Sequence, residues 1–330
     1  MAMSKITEHE IRPAELFQAY LDLCDTDIVT YFSDSPRAPL NCPACGDPGT
    51  EAFEKGVFAY RECPACHSLW VSPRPAYESF AEFYSDSPSS RYWAEVFYPT
   101  VEDVRREKLW KPKARQVADI AGGQETTFRN VIDIGGGNGV FAEEYRSISA
   151  CEVLVIEPSR QSAEACRARG IPVLEAFLEE VTPEQLPDGP SIFTSFELFE
   201  HVHDPRTWLS SVAALMRSDD ILIITTLSGL GLDIRTLWQH SRAVVPPAHL
   251  NFLNPGAMAR ISSAVGLEVV RVFTPGVLDM DILRNNVDQI GDRFWRTVIE
   301  TSTEDELQAW QGFISSVGRS SHMWSVLRKA

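Results

Sequence analysis

The chain has 330 residues, 44% of them hydrophobic and 10% aromatic, which is material for one large α/β domain and a smaller module. Its 46 acidic side chains outnumber 30 basic ones, for a formal net charge of −16, so it lacks the overall basic excess of proteins that displace counterions from nucleic acid. No apolar run approaches the roughly 18 residues needed to cross a bilayer, so no membrane partner is expected.

Residues 1–10 are polar and carry Glu8 and Glu10, which argues against a signal peptide and for a cytoplasmic location. From Ile11 to Cys24 the apolar positions Leu16, Tyr20 and Leu23 have the spacing of an amphipathic helix, and the prolines between Ser33 and Pro39 break it. Two knuckles follow, Cys42-Pro-Ala-Cys45 and Cys63-Pro-Ala-Cys66, separated by a strand or hairpin arm from Phe53 to Arg61. Each pair can turn two thiolates toward one tetrahedral ion, and this spacing predicts a zinc ribbon. A module this small buries little apolar surface, so the metal supplies its folding energy. Four thiolates close the coordination sphere, which makes the expected Zn2+ structural; iron is the alternative for tetrahedral sulfur. His67 is then a turn residue, while Cys24, Cys151 and Cys166 are scattered.

Pro73-Arg74-Pro75 is a stiff connector, and Ser79 to Tyr84 reads as a short helix. The stretch from Ser85 to Pro99, with Tyr92, Trp93, Phe97 and Tyr98, reads as packing aromatics in a linker placed to cover a site. Val101 to Ala121 is a long helix ending at Gly122-Gly123. Its basic cluster, Arg105, Arg106, Lys108, Lys111, Lys113 and Arg115, reads as a solvated face.

Strands then alternate with helices. Strands are expected at Val131–Ile134, Cys151–Ile156, Ile171–Leu174, Ser191–Phe196, Ile221–Thr226 and Leu267–Phe273. Helices are expected at Phe141–Ile148, Arg160–Arg169, Pro205–Met216 and from Asn254-Pro255 onward. Nearly unbroken apolar runs in this alternation mean a parallel sheet buried on both faces. Asp279 to Phe313 reads mostly helical, with Trp295, Val298, Leu307 and Trp310 inward, and Met323 to Leu327 as a last strand.

The first strand runs into Asp133-Ile-Gly135-Gly136-Gly137-Asn-Gly139, where glycines permit a tight turn and close backbone approach to a ligand. The dinucleotide pattern G-x-G-x-x-G is not met, because residue 140 is valine and glycine recurs at 139 instead. Glu157 ends the next strand, where a carboxylate can accept hydrogen bonds from both ribose hydroxyls.

This stretch resembles motif I of class I S-adenosylmethionine (SAM)-dependent methyltransferases, with Glu157 at their ribose-binding acid and Pro158 beside it. Phe196-Glu197-Leu-Phe-Glu200-His201-Val-His203-Asp204-Pro205 is similar to the E-H-x-x-D-P signature after their fourth strand. Over roughly residues 126–275 the resemblance implies a Rossmann-like α/β sheet flanked by helices. SAM would lie against Asp133, Gly135, Gly136, Gly137, Gly139, Glu157, Pro158, Phe196 and Glu197. Asp133 could help neutralise the ammonium and sulfonium of SAM. The division expected is a helix and zinc ribbon over 1–75, a helical linker or lid over 76–124, and the methyltransferase domain over 125–330 with a helical insertion at about 279–318.

Methyl transfer needs an aligned acceptor and a base to take its proton. The candidates are His249 first, then Glu200 and His201, with His203 a helix-cap neighbour and His240 also considered. With its four cysteines and His249-x-x-Phe252, the chain is similar to zinc-containing sugar C-methyltransferases, which act on nucleotide-linked keto-deoxysugars. It departs from them in having Pro247-Ala248 in place of the usual His/Glu cluster. The acceptor implied is a small molecule such as a nucleotide-sugar. RNA methylation, disfavoured by the acidic charge, and a SAM-binding scaffold without turnover are the competing readings. The methylated atom and the oligomeric state are not legible.

Overall fold

The computed structural model describes residues 6–330, so the polar stretch read over residues 1–10 lies partly outside the described residues. The chain opens with α1 (Glu8–Ile11), α2 (Ala14–Phe32), β1 (Arg37–Ala38), β2 (Thr50–Lys55), β3 (Phe58–Glu62), β4 (Leu69–Val71) and β5 (Arg74–Pro75). Then come α3 (Tyr77–Asp86), α4 (Pro88–Tyr92), α5 (Tyr98–Arg105), α6 (Lys111–Gly122), β6 (Asn130–Ile134) and α7 (Val140–Ile148). The alternation continues through β7 (Glu152–Ile156), α8 (Arg160–Ala168), β8 (Val173–Leu174), β9 (Ser191–Phe196), α9 (Pro205–Leu215) and β10 (Ile221–Leu227). The last elements are α10 (Leu232–Leu237), β11 (Asn251–Phe252), α11 (Pro255–Ser263), β12 (Leu267–Phe273), α12 (Asp279–Asn285), α13 (Arg293–Thr301), α14 (Glu304–Ser316) and β13 (His322–Lys329).

Two compact units draw on interleaved stretches. One combines the chain up to Glu102 with residues 226–258 and 273–323; the other combines 103–225, 259–272 and 324–330. The sequence division at 75/76 and 124/125 followed chain order and did not separate these stretches.

The second unit is built on a seven-stranded sheet in the order β12-β13-β10-β9-β6-β7-β8. Strands β8, β7, β6, β9 and β10 run parallel. Every residue of β6, β9 and β10 is buried, which is why β10 reads as a nearly unbroken apolar run and not as alternation. From β6 the chain builds outward through β7 and β8, then crosses back to start β9 beside β6. That reversal leaves a crevice at the carboxyl ends of β6 and β9, the place where open α/β sheets take ligands. The C-terminal strand is longer than expected and lies between β12 and β10.

The first unit contains a four-stranded sheet in the order β11-β4-β3-β2, all antiparallel. Its core gathers Phe32 of α2, Phe58 and Tyr60 of β3, Leu69 and Val71 of β4, and Phe80 and Phe83 of α3, with Val244, Leu250 and Phe252. The stretch 85–99 is helical, with a π-helical run from Trp93 to Phe97. Its aromatics pack on α2: Tyr20 and Trp93 ring centres are 4.9 Å apart, and Phe17 and Phe97 are buried together. A separate core joins α10 and α12–α14 through Leu237, Leu283, Val298, Leu307 and Ile314. Among the described residues no helix is long and apolar enough to cross a membrane.

Candidate functional site

In the second unit the glycine turn sits at the carboxyl end of β6. Gly135, Gly137 and Gly139 have φ of 69°, 54° and 74°, a region that L side chains rarely enter. Close approach adds to this, since a Cβ on Gly135 would lie 2.7 Å from Leu198 and one on Gly136 2.6 Å from the Asp133 carboxylate. The turn is therefore bare backbone laid over a carboxylate. Asp133 is buried and accepts one hydrogen bond, from Thr194 Oγ1 at 2.7 Å. Its Oδ2 has no hydrogen-bond partner among the described residues. Burial pushes its carboxyl up to about 7, against the opposing pull of Thr194 and Lys113. A buried acid with one orphaned oxygen under a bare turn fits a cationic ligand.

Glu157 is also buried and accepts from Gly137 N and Ser159 N, both at 2.9 Å. Burial raises its carboxyl despite those two bonds. Each of its oxygens keeps a second lone pair, enough to accept the two hydroxyls of a ribose. Pro158 follows it on the exposed surface. At the turn's far end Cys166 Sγ donates to Gly137 O at 3.1 Å, which braces the loop from α8.

At the end of β9, Phe196 stacks edge-on against Phe141, ring centres 4.5 Å apart. The next residue, Glu197, has φ of 52°, a strained conformation for a side-chain-bearing residue and a frequent mark of a working site. Its carboxylate accepts from Thr225 Oγ1 at 2.7 Å and from Lys113 Nζ at 3.0 Å. Lys113 is the residue that sequence reasoning missed. It does not belong to a solvated basic face: it is buried, with Nζ 4.7 Å from the Phe196 ring centre and 4.9 Å from that of Trp110. Arg106 is likewise taken up by Glu143 and Glu144. The signal was available, because Trp110, Lys113, Ala114 and Val117 fall at helical spacing on one stripe.

Glu200 is buried and His201 half-buried in the turn after β9, where His201 N donates to Leu198 O. His203 precedes Asp204, which caps α9 by accepting from Arg206 N at 2.9 Å and Thr207 N at 3.0 Å.

In the first unit the four cysteines converge, all four sulfurs within 4.8 Å of one another. Cys42 and Cys66 sulfurs are 3.5 Å apart and those of Cys45 and Cys63 3.4 Å. Zinc–sulfur bonds of about 2.3 Å in a tetrahedron set sulfurs about 3.8 Å apart, so the four fit one such ion. The Cys42 thiol is pushed up by its bond to Cys66 and by burial, while that bond and Ser68 hold Cys66 low. Each knuckle is closed by a residue in the left-handed region, Gly46 (φ 80°) in the first and His67 (φ 57°) in the second. Both donate to the carbonyl of the first cysteine at 2.8 Å, which accounts for His67 as a turn residue.

His249 lies just before β11, and β11 is the fourth strand of the cysteine module's own sheet, pairing Asn251 with Trp70 and Phe252 with Leu69. Its Nδ1 is 2.5 Å from Ala243 O, and because a carbonyl oxygen only accepts, Nδ1 carries a proton. His240 is an exposed residue in a short 3-10 turn.

Similar curated proteins include the ubiquinone biosynthesis O-methyltransferases of Cupriavidus pinatubonensis (27% identical; 47% of this chain, 64% of that protein) and Schizosaccharomyces pombe (29% identical; 36% and 46%). The chain thus spans about half to two thirds of the length of these relatives. Similar solved structures include a SAM-dependent methyltransferase from Archaeoglobus fulgidus (18% identical; 72% of this chain, all of that one; TM-score 0.47). Another is the plantazolicin methyltransferase BpumL (11% identical; 76% and 93%; TM-score 0.49). Residues 102–272, just over half of the chain, match the model of the methyltransferase domain family, and the chain belongs to that family.

Proposed function

We propose that this protein transfers a methyl group from SAM to a small-molecule acceptor, with a structural Zn2+ in the four-cysteine module. The observation that carries the reading is the bare glycine turn between two buried carboxylates, Asp133 beneath it and Glu157 beside it. Glu157 would hold the ribose hydroxyls, the turn would allow backbone approach, and Asp133 would face the cationic end. When bound, SAM supplies an electrophilic methyl carbon on a sulfonium. Gly135, Gly136, Gly137, Gly139, Pro158, Phe196 and Glu197 complete the proposed binding set.

His249 is the proposed base, with the lone pair of Nε2 taking the acceptor's proton; Glu200 and His201 are the lesser candidates. The acceptor class is a nucleotide-linked sugar, supported by the resemblance to zinc-containing sugar C-methyltransferases. The relatives named as O-methyltransferases favour a hydroxyl as the second reading. The net charge of −16 keeps nucleic acid the weaker alternative. Labelled-methyl transfer from SAM to nucleotide-linked keto-deoxysugars, phenols and RNA separates these acceptors. In that assay His249→Ala is expected to keep SAM affinity and lose about 10²-fold in turnover. Full turnover in that variant would move the base elsewhere.

A further inference from the structure

The segment between α10 and α11 carries the proposed base in a stretch whose only strand is the two-residue β11. Long connections of this kind are ordinarily mobile. Within the segment, His249 N–H bonds Val245 O and the His249 ring bonds Ala243 O. Gly229 N donates to Leu253 O at 2.7 Å, and further clamps on residues 249–254 come from the cysteine module. Tyr60 Oη of β3 donates to His249 O at 2.8 Å. Val71 N of β4 donates to Leu250 O at 2.9 Å, and Arg74 Nη2 donates to Leu250 O at 3.2 Å and Asn251 Oδ1 at 2.8 Å. The second knuckle takes part directly, because Asn254 Nδ2 donates to Cys66 O at 2.6 Å.

A two-residue strand such as β11 has no stability of its own and exists only as an addition to β4. Tyr60 is fully enclosed, and burial pushes its phenol up, so the hydroxyl stays protonated and remains a donor. Cys63 and Cys66 lie in the connection between β3 and β4, the two strands that supply these donors.

We propose that the four-cysteine ribbon is the mount of His249. Tyr60 is a positioning residue that fixes the histidine's backbone, and occupancy of the metal site sets the ring's orientation against Ala243 O. The inference rests on the proposed role of His249, but its test does not pass through turnover.

The test is nitrogen-15 histidine NMR on the full-length, zinc-loaded protein. An Nδ1–H resonance that vanishes in His249→Ala assigns the ring. In Tyr60→Phe, which keeps the buried ring, that proton should exchange about tenfold faster, as expected for loss of one hydrogen bond from the mount. SAM affinity by calorimetry should stay within twofold of wild type. Arg74→Met, which removes the guanidinium's bonds to Leu250 O and Asn251 Oδ1, should move the proton in the same direction if Tyr60→Phe fails to fold. Stripping zinc with a chelator should erase the resonance. Unchanged exchange in the folded variants, or a resonance that survives zinc removal, overturns the proposal. Failure of the base reading would show separately, as full methyl transfer by His249→Ala.

Discussion

Glu157 carries two demands at once, since its carboxylate braces Gly137 and Ser159 and is the proposed ribose acceptor. Glu157→Ala should therefore weaken SAM binding by about 2–4 kcal/mol, the worth of a pair of charge-assisted hydrogen bonds, measured by calorimetry. Asp133 makes a pH prediction. Its folded carboxyl sits at about 7, whereas an unfolded aspartate titrates near 4. The folded state binds the proton more tightly, so the ligand-free protein should lose stability as pH rises from about 4 to about 7, with no further loss above. Thermal unfolding at pH 5 and pH 8 should show that slope, and Asp133→Asn should flatten it. An unchanged slope in the variant would assign the pH dependence to other groups. Lys113 completes the residue scale. Lys113→Met should remove the ion pair from the partly exposed Glu197 at a cost of about 1–2 kcal/mol, read as a fall in melting temperature.

At the scale of elements, the turn after β6 depends on backbone that only glycine adopts cheaply. Gly139→Ala meets φ of 74° and a Cys166 sulfur 2.9 Å from the new Cβ, so it should lower the melting temperature by several degrees. What the sequence made legible here was local. The strand β10 announced itself as an apolar run, β6 and β9 by their place in the alternation with helices, and the cysteine knuckles and glycine turn by spacing. The C-terminal strand was found because Met323–Leu327 is apolar, though its place inside the sheet was not. What stayed hidden was non-local. Asn251-Phe252 carries no strand signal, because its partners Trp70 and Leu69 lie about 180 positions earlier in the chain. Lys113 was masked by its basic neighbours, and the pairing of its charge with Glu197, just after β9, follows from the tertiary fold and not from α6 itself. The aromatic stretch 85–99 lacked strong helix formers, and tertiary packing on α2 overrides that weak propensity.

At the scale of the whole molecule, each unit carries a different part of the proposed chemistry: the proposed SAM crevice at the switch point of the parallel sheet, and the proposed base His249 beside the four-cysteine ribbon. The account stands or falls on whether the crevice takes SAM. Titration calorimetry of SAM into the wild-type protein and Glu157→Ala tests this most directly. The account predicts one SAM per chain in the wild type and an affinity lower by about 30-fold or more in the variant, the equivalent of at least 2 kcal/mol. No binding to the wild type, or equal binding to both, would contradict it.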